Sequence, residues 1–342
     1  KSYRLIQPTD ETSIFGSTSS TNPSDDTAIS TLMNNEFNLE FNSKYILGTF
    51  KAKAHLTSMT YGYDTILNSS VPVNNIQLSD AVLSVGASWN ARIKNFNLNA
   101  EANVTPGSSL LSGNFFSANA NYKKDSLFMM SAHLLINSKA PNFNTLLHLS
   151  KYDDYNWENN FSNVNTQNLG FSLRSKWINS DVSLTNIDNF TYFDEDNLPK
   201  QYSNQVTYLK VKVNREIRYR KFGLDNTVLY QNVSNGSDVF RVPELVTRNT
   251  FYYADHWFKG KPMYVNIGVT FKYFTSYFAN AYNPVLAEFT LQNTEEIGFP
   301  RFDLFFNARV QRTRLFLKVD NISSAFMEKN YFSAPNYPFR DF

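Results

Sequence analysis

Apolar and polar residues alternate along most of this chain with a period of two. Residues 96–103, for example, read Phe-Asn-Leu-Asn-Ala-Glu-Ala-Asn. Successive side chains of a β-strand point to opposite faces, so this pattern predicts a strand with one apolar face and one polar face. The same alternation recurs in residues 51–56, 169–177, 209–214, 265–273 and 304–311.

The number and length of these segments predict a large all-β fold. They run to about ten residues, close to the roughly 9–11 that a tilted strand needs to cross a bilayer and longer than the usual strand of about 5–6. We therefore predict a transmembrane antiparallel up-and-down β-barrel of about 14–16 strands. The predicted strands are centred near residues 37, 52, 85, 99, 117, 131, 147, 171, 184, 209, 226, 250, 268, 288, 306 and 317.

Turn-forming stretches of two lengths separate the predicted strands. Outer-membrane barrels have short periplasmic turns and longer external loops, so the two kinds are expected at opposite ends. The first 29 residues, rich in Ser, Thr, Asp and Pro, are expected to be irregular, which leaves residues 30–342 for the barrel. The short stretches include 92–95, 123–126 and 218–221, and the longer ones include 61–75, 153–166, 192–203 and 231–243.

Composition favours the membrane form of this fold. Aromatic residues make up 16% of the chain, with 30 Phe and 20 Tyr, and outer-membrane barrels place such rings in girdles at the membrane interfaces. The sequence has no run of about 18 apolar residues that would predict a transmembrane helix. We therefore expect the chain in the outer membrane of a Gram-negative cell, in contact with outer-membrane lipid and lipopolysaccharide.

Charge and the scarcity of chemical motifs exclude several function classes. The net charge is only +2, which gives no argument for a nucleic-acid partner. The absence of Cys excludes disulfides, thiolate metal sites and Cys nucleophiles. Acidic clusters at 153–154, 194–196 and 295–296 could hold divalent cations, but solvated loop charge is the simpler interpretation. The four His are scattered, and no motif predicts a catalytic residue, cofactor or bound metal, so we do not expect an enzyme.

Basic residues dominate the polar faces of the predicted strands. If the apolar faces meet lipid, the polar faces line a lumen, where basic side chains would give a weak preference for anions. Alternatively, these charges pair with carboxylates and fill the interior. The acidic residues expected to point inward are fewer, namely Glu40, Glu101, Asp225 and Asp320. The predicted lumen-lining residues are Lys51, Lys53, Arg174, Lys176, Lys210, Lys212, Lys272, Arg309 and Lys318.

The end of the sequence carries a distinctive pattern. A strand-like stretch at 315–319 closes on Asp320-Asn321-Ile322, an aromatic and proline-rich stretch follows at 331–338, and Phe339-Arg340-Asp341-Phe342 comes last. This pattern resembles the end of Bacteroidetes outer-membrane proteins, and it is most similar to the plug-less "putative porin" family. TonB-dependent receptors have similar endings, but they need roughly 22 strands and a plug, for which this chain has no candidate segment.

The resemblance implies a function as well as a fold. Members of such families finish on a final strand with a terminal aromatic residue, so about ten more residues are expected after Phe342. The implied function is porin-like passive diffusion of small hydrophilic solutes. One alternative is a structural or accessory subunit of a larger outer-membrane complex, such as the barrel-assembly or type 9 secretion machinery, with a plugged lumen and protein partners. An outer-membrane enzyme is a further alternative.

Overall fold

The chain forms one long antiparallel sheet with very little helix. The structure is a computed structural model that describes residues 2–5, 24–42, 47–63, 77–125, 128–150, 152–325, 332–335 and 337–338. Helical structure there is limited to α1 (Phe143–Leu146) and two 3-10 turns, Asp153–Tyr155 and Ile322–Ala325. The strands are β1 (Ser2–Leu5), β2 (Ser24–Asn42), β3 (Thr49–Tyr63), β4 (Gln77–Ile93), β5 (Phe96–Thr105), β6 (Gly113–Lys123), β7 (Met129–Lys139), β8 (Leu147–His148), β9 (Trp157–Glu158), β10 (Val164–Arg174), β11 (Asn179–Asp188), β12 (Thr191–Phe193), β13 (Pro199–Gln201), β14 (Val206–Tyr219), β15 (Phe222–Asn235), β16 (Leu245–Trp257), β17 (Met263–Phe274), β18 (Ala281–Asn283), β19 (Glu288–Thr290), β20 (Arg301–Val310), β21 (Thr313–Val319), β22 (Phe332–Ala334) and β23 (Tyr337–Pro338).

The main sheet has up-and-down topology. Its 15 strands follow the order β1-β2-β3-β4-β5-β6-β7-β10-β11-β14-β15-β16-β17-β20-β21, so neighbours in the sheet are also neighbours along the chain. Apart from the four-residue β1, each strand of this sheet is at least seven residues long. This topology confirms the prediction of an all-β, antiparallel up-and-down barrel, and the strand number lies within the predicted range.

Two predicted strands, near residues 147 and 288, are wrong as barrel strands. They lie in β8 and β19, which are two and three residues long and belong to connections between the long strands. Leu147 is fully buried, and its neighbours Leu146 and Leu149 are buried as well. A short apolar run therefore marked a buried loop segment, because periodicity alone does not separate such a segment from a strand.

Connections of two lengths alternate along the sheet, as predicted. We call the two ends of the sheet the short-turn end and the long-loop end. Outer-membrane barrels have their longer loops outside the cell, which makes the long-loop end the external one. Connections at the short-turn end are 43–48, 94–95, 124–128, 175–178, 220–221, 258–262 and 311–312, and those at the long-loop end are 64–76, 106–112, 140–163, 189–205, 236–244 and 275–300.

The strand register separates an apolar face from a polar face. Leu56 of β3 stands directly opposite Leu83 of β4 on the apolar face, and both are more than half exposed. Three residues away along each strand, Lys53 faces Gly86 on the polar face. Exposed aromatic rings gather on the apolar side at the short-turn end, as expected of a membrane-interface girdle. They include Phe41, Phe96, Trp177, Tyr219, Phe222, Trp257 and Phe258.

The two termini bear on the predicted domain boundary. Strand β2 begins at Ser24, before the residue 30 at which the barrel was expected to start, and β1 pairs with its first residues. The division into an irregular segment at 1–29 and a barrel at 30–342 stays a prediction, and residues 6–23 lie outside the described residues. The strand expected after Phe342 also lies outside them.

The assignment of the two faces can be tested by placing a charge on each. Leu169 lies midway along β10 on the apolar face and is 60% exposed. Leu169→Arg should destabilise the folded barrel by about 2–4 kcal/mol, because a cation at the bilayer midplane loses its hydration. The measurement is the free energy of unfolding in urea with the protein folded into lipid vesicles.

The matched control for this prediction is Asn99→Arg. Asn99 lies near the middle of β5 on the polar face and is exposed. The control should cost under about 0.5 kcal/mol, as surface substitutions usually do. Equal costs for the two variants would contradict the assignment of the faces.

Candidate functional site

Ion pairs, most of them between different strands, lie along the polar face. Glu40 of β2 stands directly opposite Lys51 of β3, and their side chains meet at 2.9 Å. Exposed pairs of this kind contribute only about 0–1 kcal/mol each, so they order the charges more than they stabilise the sheet. Of the predicted lumen-lining residues, those in ion pairs are Lys51 with Glu40, Lys53 with Glu101, Arg174 with Asp181, Lys272 with Asp303 and Lys318 with Asp320.

Other predicted lumen-lining cations have no such partner. Lys210, Lys212 and Arg309 are exposed on the polar face and make no ion pair within the described part of the chain. Lys176 lies beyond the end of β10, in the turn 175–178. That turn ends the strand because the Ser175 hydroxyl accepts the backbone N–H groups of Trp177 and Ile178 at 3.3 and 3.0 Å.

Sequence reasoning missed several charges of the polar face. Arg248 of β16 stands opposite Lys272, and Arg314 of β21 stands opposite Arg309. The alternation is less regular in these strands, because Thr247 and Asn249 lie on the apolar face of β16. The inward carboxylates that were missed are Glu36, Asp80, Asp181, Glu216 and Asp303.

The C-terminal Asp-Asn-Ile pattern has a structural role at the long-loop end. Asp303 of β20 is 1% exposed. Its carboxylate accepts the backbone N–H of Asn321 at 3.0 Å and pairs with Lys272. Asn321 has a φ of 55°, a left-handed conformation that Asn tolerates, and its side chain accepts the Ser323 hydroxyl at 3.1 Å. The pattern therefore fastens the end of β21 to β20.

The loop at 140–163 folds onto the polar face. Leu147 and Leu149 of this loop form an apolar cluster with Met59, Tyr61 and Tyr63, which lie on the polar face at the long-loop end of β3. The cluster is buried, although the face that carries it is polar along the rest of the strand. The loop thus lies on the concave side of the barrel and occupies part of its external mouth.

Two further loops meet this one over the mouth. Strand β12 in the loop 189–205 pairs with β19 in the loop 275–300, which gives a four-stranded sheet in the order β13-β12-β19-β18. A second buried cluster joins Tyr155 and Trp157 of the first loop to Phe193 and Leu286 of the other two. The three loops therefore pack as one layer, which we call the mouth layer.

Asn283 is the polar centre of the mouth layer. Its side chain is buried, and its amide donates to the Tyr155 hydroxyl and to the Asn197 side chain, both at 3.0 Å. Its carbonyl oxygen accepts the backbone N–H groups of Val285 and Leu286 at 2.9 and 3.3 Å. One side chain thus joins all three loops, and burial raises the pKa of the Tyr155 hydroxyl above its ordinary value.

The histidines are dispersed, and two of them have clear structural roles. His148 is buried in the mouth layer, stacked on Trp157 with ring centroids 4.8 Å apart, and its Nδ1 lies 2.7 Å from the Tyr155 carbonyl oxygen. The His133 ring lies across Gly170 on the facing strand, in the space that a Cβ would fill. In the described residues, no three His, Asp or Glu side chains converge as metal ligands.

The acidic cluster 194–196 belongs to the mouth layer. Asp194 is buried, and its carboxylate accepts the backbone N–H groups of Asp196 and Leu198 at 3.0 and 2.9 Å. It also pairs with Lys200 at 2.6 Å, and this hydrogen bond raises the pKa of the Lys200 ammonium above its ordinary value. The expectation of solvated charge is therefore wrong for Asp194, because its carboxylate organises a turn.

Comparison with known proteins identifies the family. The family model described as "Putative porin" matches residues 1–342. The chain belongs to the "Putative porin" family. No curated protein matches this porin-family chain. No helix in the described part of the chain has the length and apolarity needed to cross a membrane.

Solved structures agree with the fold of this porin-family chain. A ferric enterobactin receptor of Pseudomonas aeruginosa in complex with enterobactin has a TM-score of 0.61 at 11% identity, over 92% of this chain and 51% of the receptor. The siderophore receptor PirA of Acinetobacter baumannii has a TM-score of 0.56 at 10% identity, over 88% of this chain and 51% of that one. The FrpB iron transporter of Neisseria meningitidis has a TM-score of 0.54 at 12% identity, over 88% and 52%.

These comparisons give the location and the general class of the protein. The chain spans about half the length of each of these solved chains, and at such low identity the likeness shows the fold alone. Together with the family match, it makes this protein an outer-membrane β-barrel of a Gram-negative cell.

The role of Asn283 in the mouth layer can be tested by removing its side chain. Asn283→Ala leaves buried polar groups of three loops without partners, at a cost of about 1–3 kcal/mol. Amide hydrogen exchange in the loops 140–163, 189–205 and 275–300 should therefore become faster together, while exchange in β5 and β6 stays the same.

Asn204→Ala is the control for this prediction. Asn204 lies in the loop 189–205 and is exposed. Its replacement should leave hydrogen exchange in all three loops unchanged. If hydrogen exchange in the Asn283→Ala variant became faster only in the loop 275–300, the three loops would not form one cooperative layer.

Proposed function

We propose that this barrel is a passive channel for small hydrophilic solutes. The observation that carries the proposal is the presence of exposed cations below the mouth layer. Lys210 and Lys212 lie partway along β14, are exposed, and make no ion pair in the described residues. Burying an unpaired charge away from water costs several kcal/mol, so these side chains favour a water-filled interior. The family membership supports the same function.

We infer a weak preference for anions from the balance of charges on the polar face. Several carboxylates of this face are neutralised by a cation; Glu101, for example, pairs with Lys53 at 2.7 Å, and Asp181 pairs with Arg174 at 2.6 Å. A lumen with uncompensated basic side chains attracts anions. The polar-face cations without an ion pair in the described residues include Lys210, Lys212, Arg248, Arg309 and Arg314.

A second candidate function is a structural subunit of a larger outer-membrane complex, with a plugged lumen. The specific observation that favours it is the mouth layer, whose buried apolar clusters resemble a small folded core. Under this alternative the long loops would hold protein partners. For either function we expect outer-membrane lipid along the apolar face and lipopolysaccharide around the long loops. The family and fold favour a transport-related role without catalysis.

Single-channel recording in a planar bilayer tests the channel and its selectivity. We expect steady open currents from the folded protein and a reversal potential that indicates a small anion preference under a KCl gradient. The double variant Lys210→Glu/Lys212→Glu should shift the reversal potential toward cations, because it reverses the sign of two lumen charges.

Lys259→Glu is the matched control for the recording. Lys259 is exposed in the turn 258–262, outside the strands, so the reversal potential should stay close to that of the unmodified protein. Cation preference of the unmodified protein would contradict the anion proposal. Silence from folded protein would contradict the channel and favour the structural subunit.

A further inference from the structure

A cavity of about 660 Å³ opens beside the mouth layer. It lies between the loops 189–205, 236–244 and 275–300, and the polar-face residue Gln231 at the long-loop end of β15 forms part of its wall. Its volume lies within the range of about 300–1,000 Å³ that small-molecule sites occupy. Because these loops are at the external end, the cavity is accessible to solutes that approach the barrel from outside.

Aromatic rings line the cavity together with polar groups. Tyr192, Tyr277 and Phe278 come from two different loops of the mouth layer. Phe278 is 41% exposed, although large apolar side chains in neighbouring parts of the same loop, such as Leu291 and Phe299, are buried. An exposed ring in a cavity wall offers a flat apolar surface to a ligand.

The charged groups left for a ligand are hydrogen-bond acceptors. Lys200 is paired with Asp194, and Arg241 donates to the carbonyl oxygens of Asp238 and Gln292 and to the Asn293 side chain, with Glu195 at 3.8 Å. By contrast, the side chains of Asp238 and Glu244 are exposed in the cavity wall without an ion pair in the described residues. A ligand that contacts these two carboxylates must therefore bring hydrogen-bond donors.

We propose that this cavity binds a neutral saccharide of two or three sugar units. Sugar hydroxyls supply donors to the carboxylates of Asp238 and Glu244, and the C–H face of a sugar ring packs on Phe278. Anions are disfavoured by the two carboxylates, whereas a neutral ligand avoids the cost of desolvating a charge. The inference rests on the proposed function, because it assigns a solute class to the mouth of the same channel.

Calorimetry on the folded full chain in detergent micelles tests the proposal, with maltotriose as the probe and spermidine and citrate as charged comparators. We expect saturable binding of maltotriose alone. Phe278→Ala and Phe278→Leu should each weaken it at least about tenfold, because both remove the ring. Phe289→Ala is the matched control: this residue is 55% exposed in the same loop and lies outside the cavity wall, so affinity should not change.

The isosteric double variant Asp238→Asn/Glu244→Gln separates a saccharide from a cation. It keeps one acceptor oxygen on each side chain, replaces the other by an amide NH2 and removes the charges. Because hydrogen bonds to a charged acceptor are roughly twice as strong, maltotriose affinity should fall by about tenfold while saturable binding persists. If the unmodified protein bound spermidine and not maltotriose, and the double variant lost spermidine binding, the cavity would be a site for organic cations instead. Maltotriose affinity unaffected by the loss of the Phe278 ring would also overturn it. Binding of maltotriose to a barrel that is silent in bilayers would remove the channel and leave the saccharide site intact.

Discussion

Backbone hydrogen bonding in the membrane is the constraint on which this structure depends. Lipid offers no partner to an N–H or C=O group, and each unsatisfied group costs several kcal/mol, so the chain must cross as strands paired to neighbours. Pairing fixes the register, and the register fixes which side chains share a face. Leu56 and Leu83 meet on the apolar face because Lys53 and Gly86 meet on the other. The separation of apolar and polar side chains onto two faces thus follows from the hydrogen-bonded pairing of the strands.

The interior that the paired strands enclose has two regions of different chemistry. Along the strands, cations such as Lys51 and Lys53 form ion pairs with carboxylates of other strands, while others such as Lys210 have no ion partner in the described residues. At the long-loop end, three loops build the mouth layer around Asn283. Under the proposed channel function, the basic region suits hydrated solutes, and we expect the mouth layer to select which of them reach it. The two proposals of channel and saccharide site concern these two regions in turn.

Much of the fold could be predicted from the sequence, because a period of two directly reports the environment on either side of a strand. Even the weakly patterned strand near residue 117 is present as β6. Leu147 and Glu288 lie instead in short loop strands. An apolar run indicates burial, but it does not distinguish contact with lipid from packing inside a loop. The mouth layer could not be predicted: Asn283 joins residues up to 128 positions away, and no local pattern records such contacts. Arg248 and Arg314 were missed for a similar reason, since their strands lack regular alternation.

We infer that one face of each strand meets lipid and that the other meets water. The chain has no native Cys, so single cysteines can be introduced at successive positions of β10 and tested in folded, vesicle-bound protein. A fluorophore attached to a cysteine at position 169 or 171 should be quenched by a probe dissolved in the lipid. A cysteine at position 168 or 172 should react with a water-soluble thiol reagent. We expect an alternation of period two in which the odd-numbered positions contact lipid and the even-numbered positions contact water. Lipid quenching at positions 168 and 172 with thiol reactivity at 169 and 171 would contradict the assignment of the two faces. Uniform reactivity along β10 would contradict it as well.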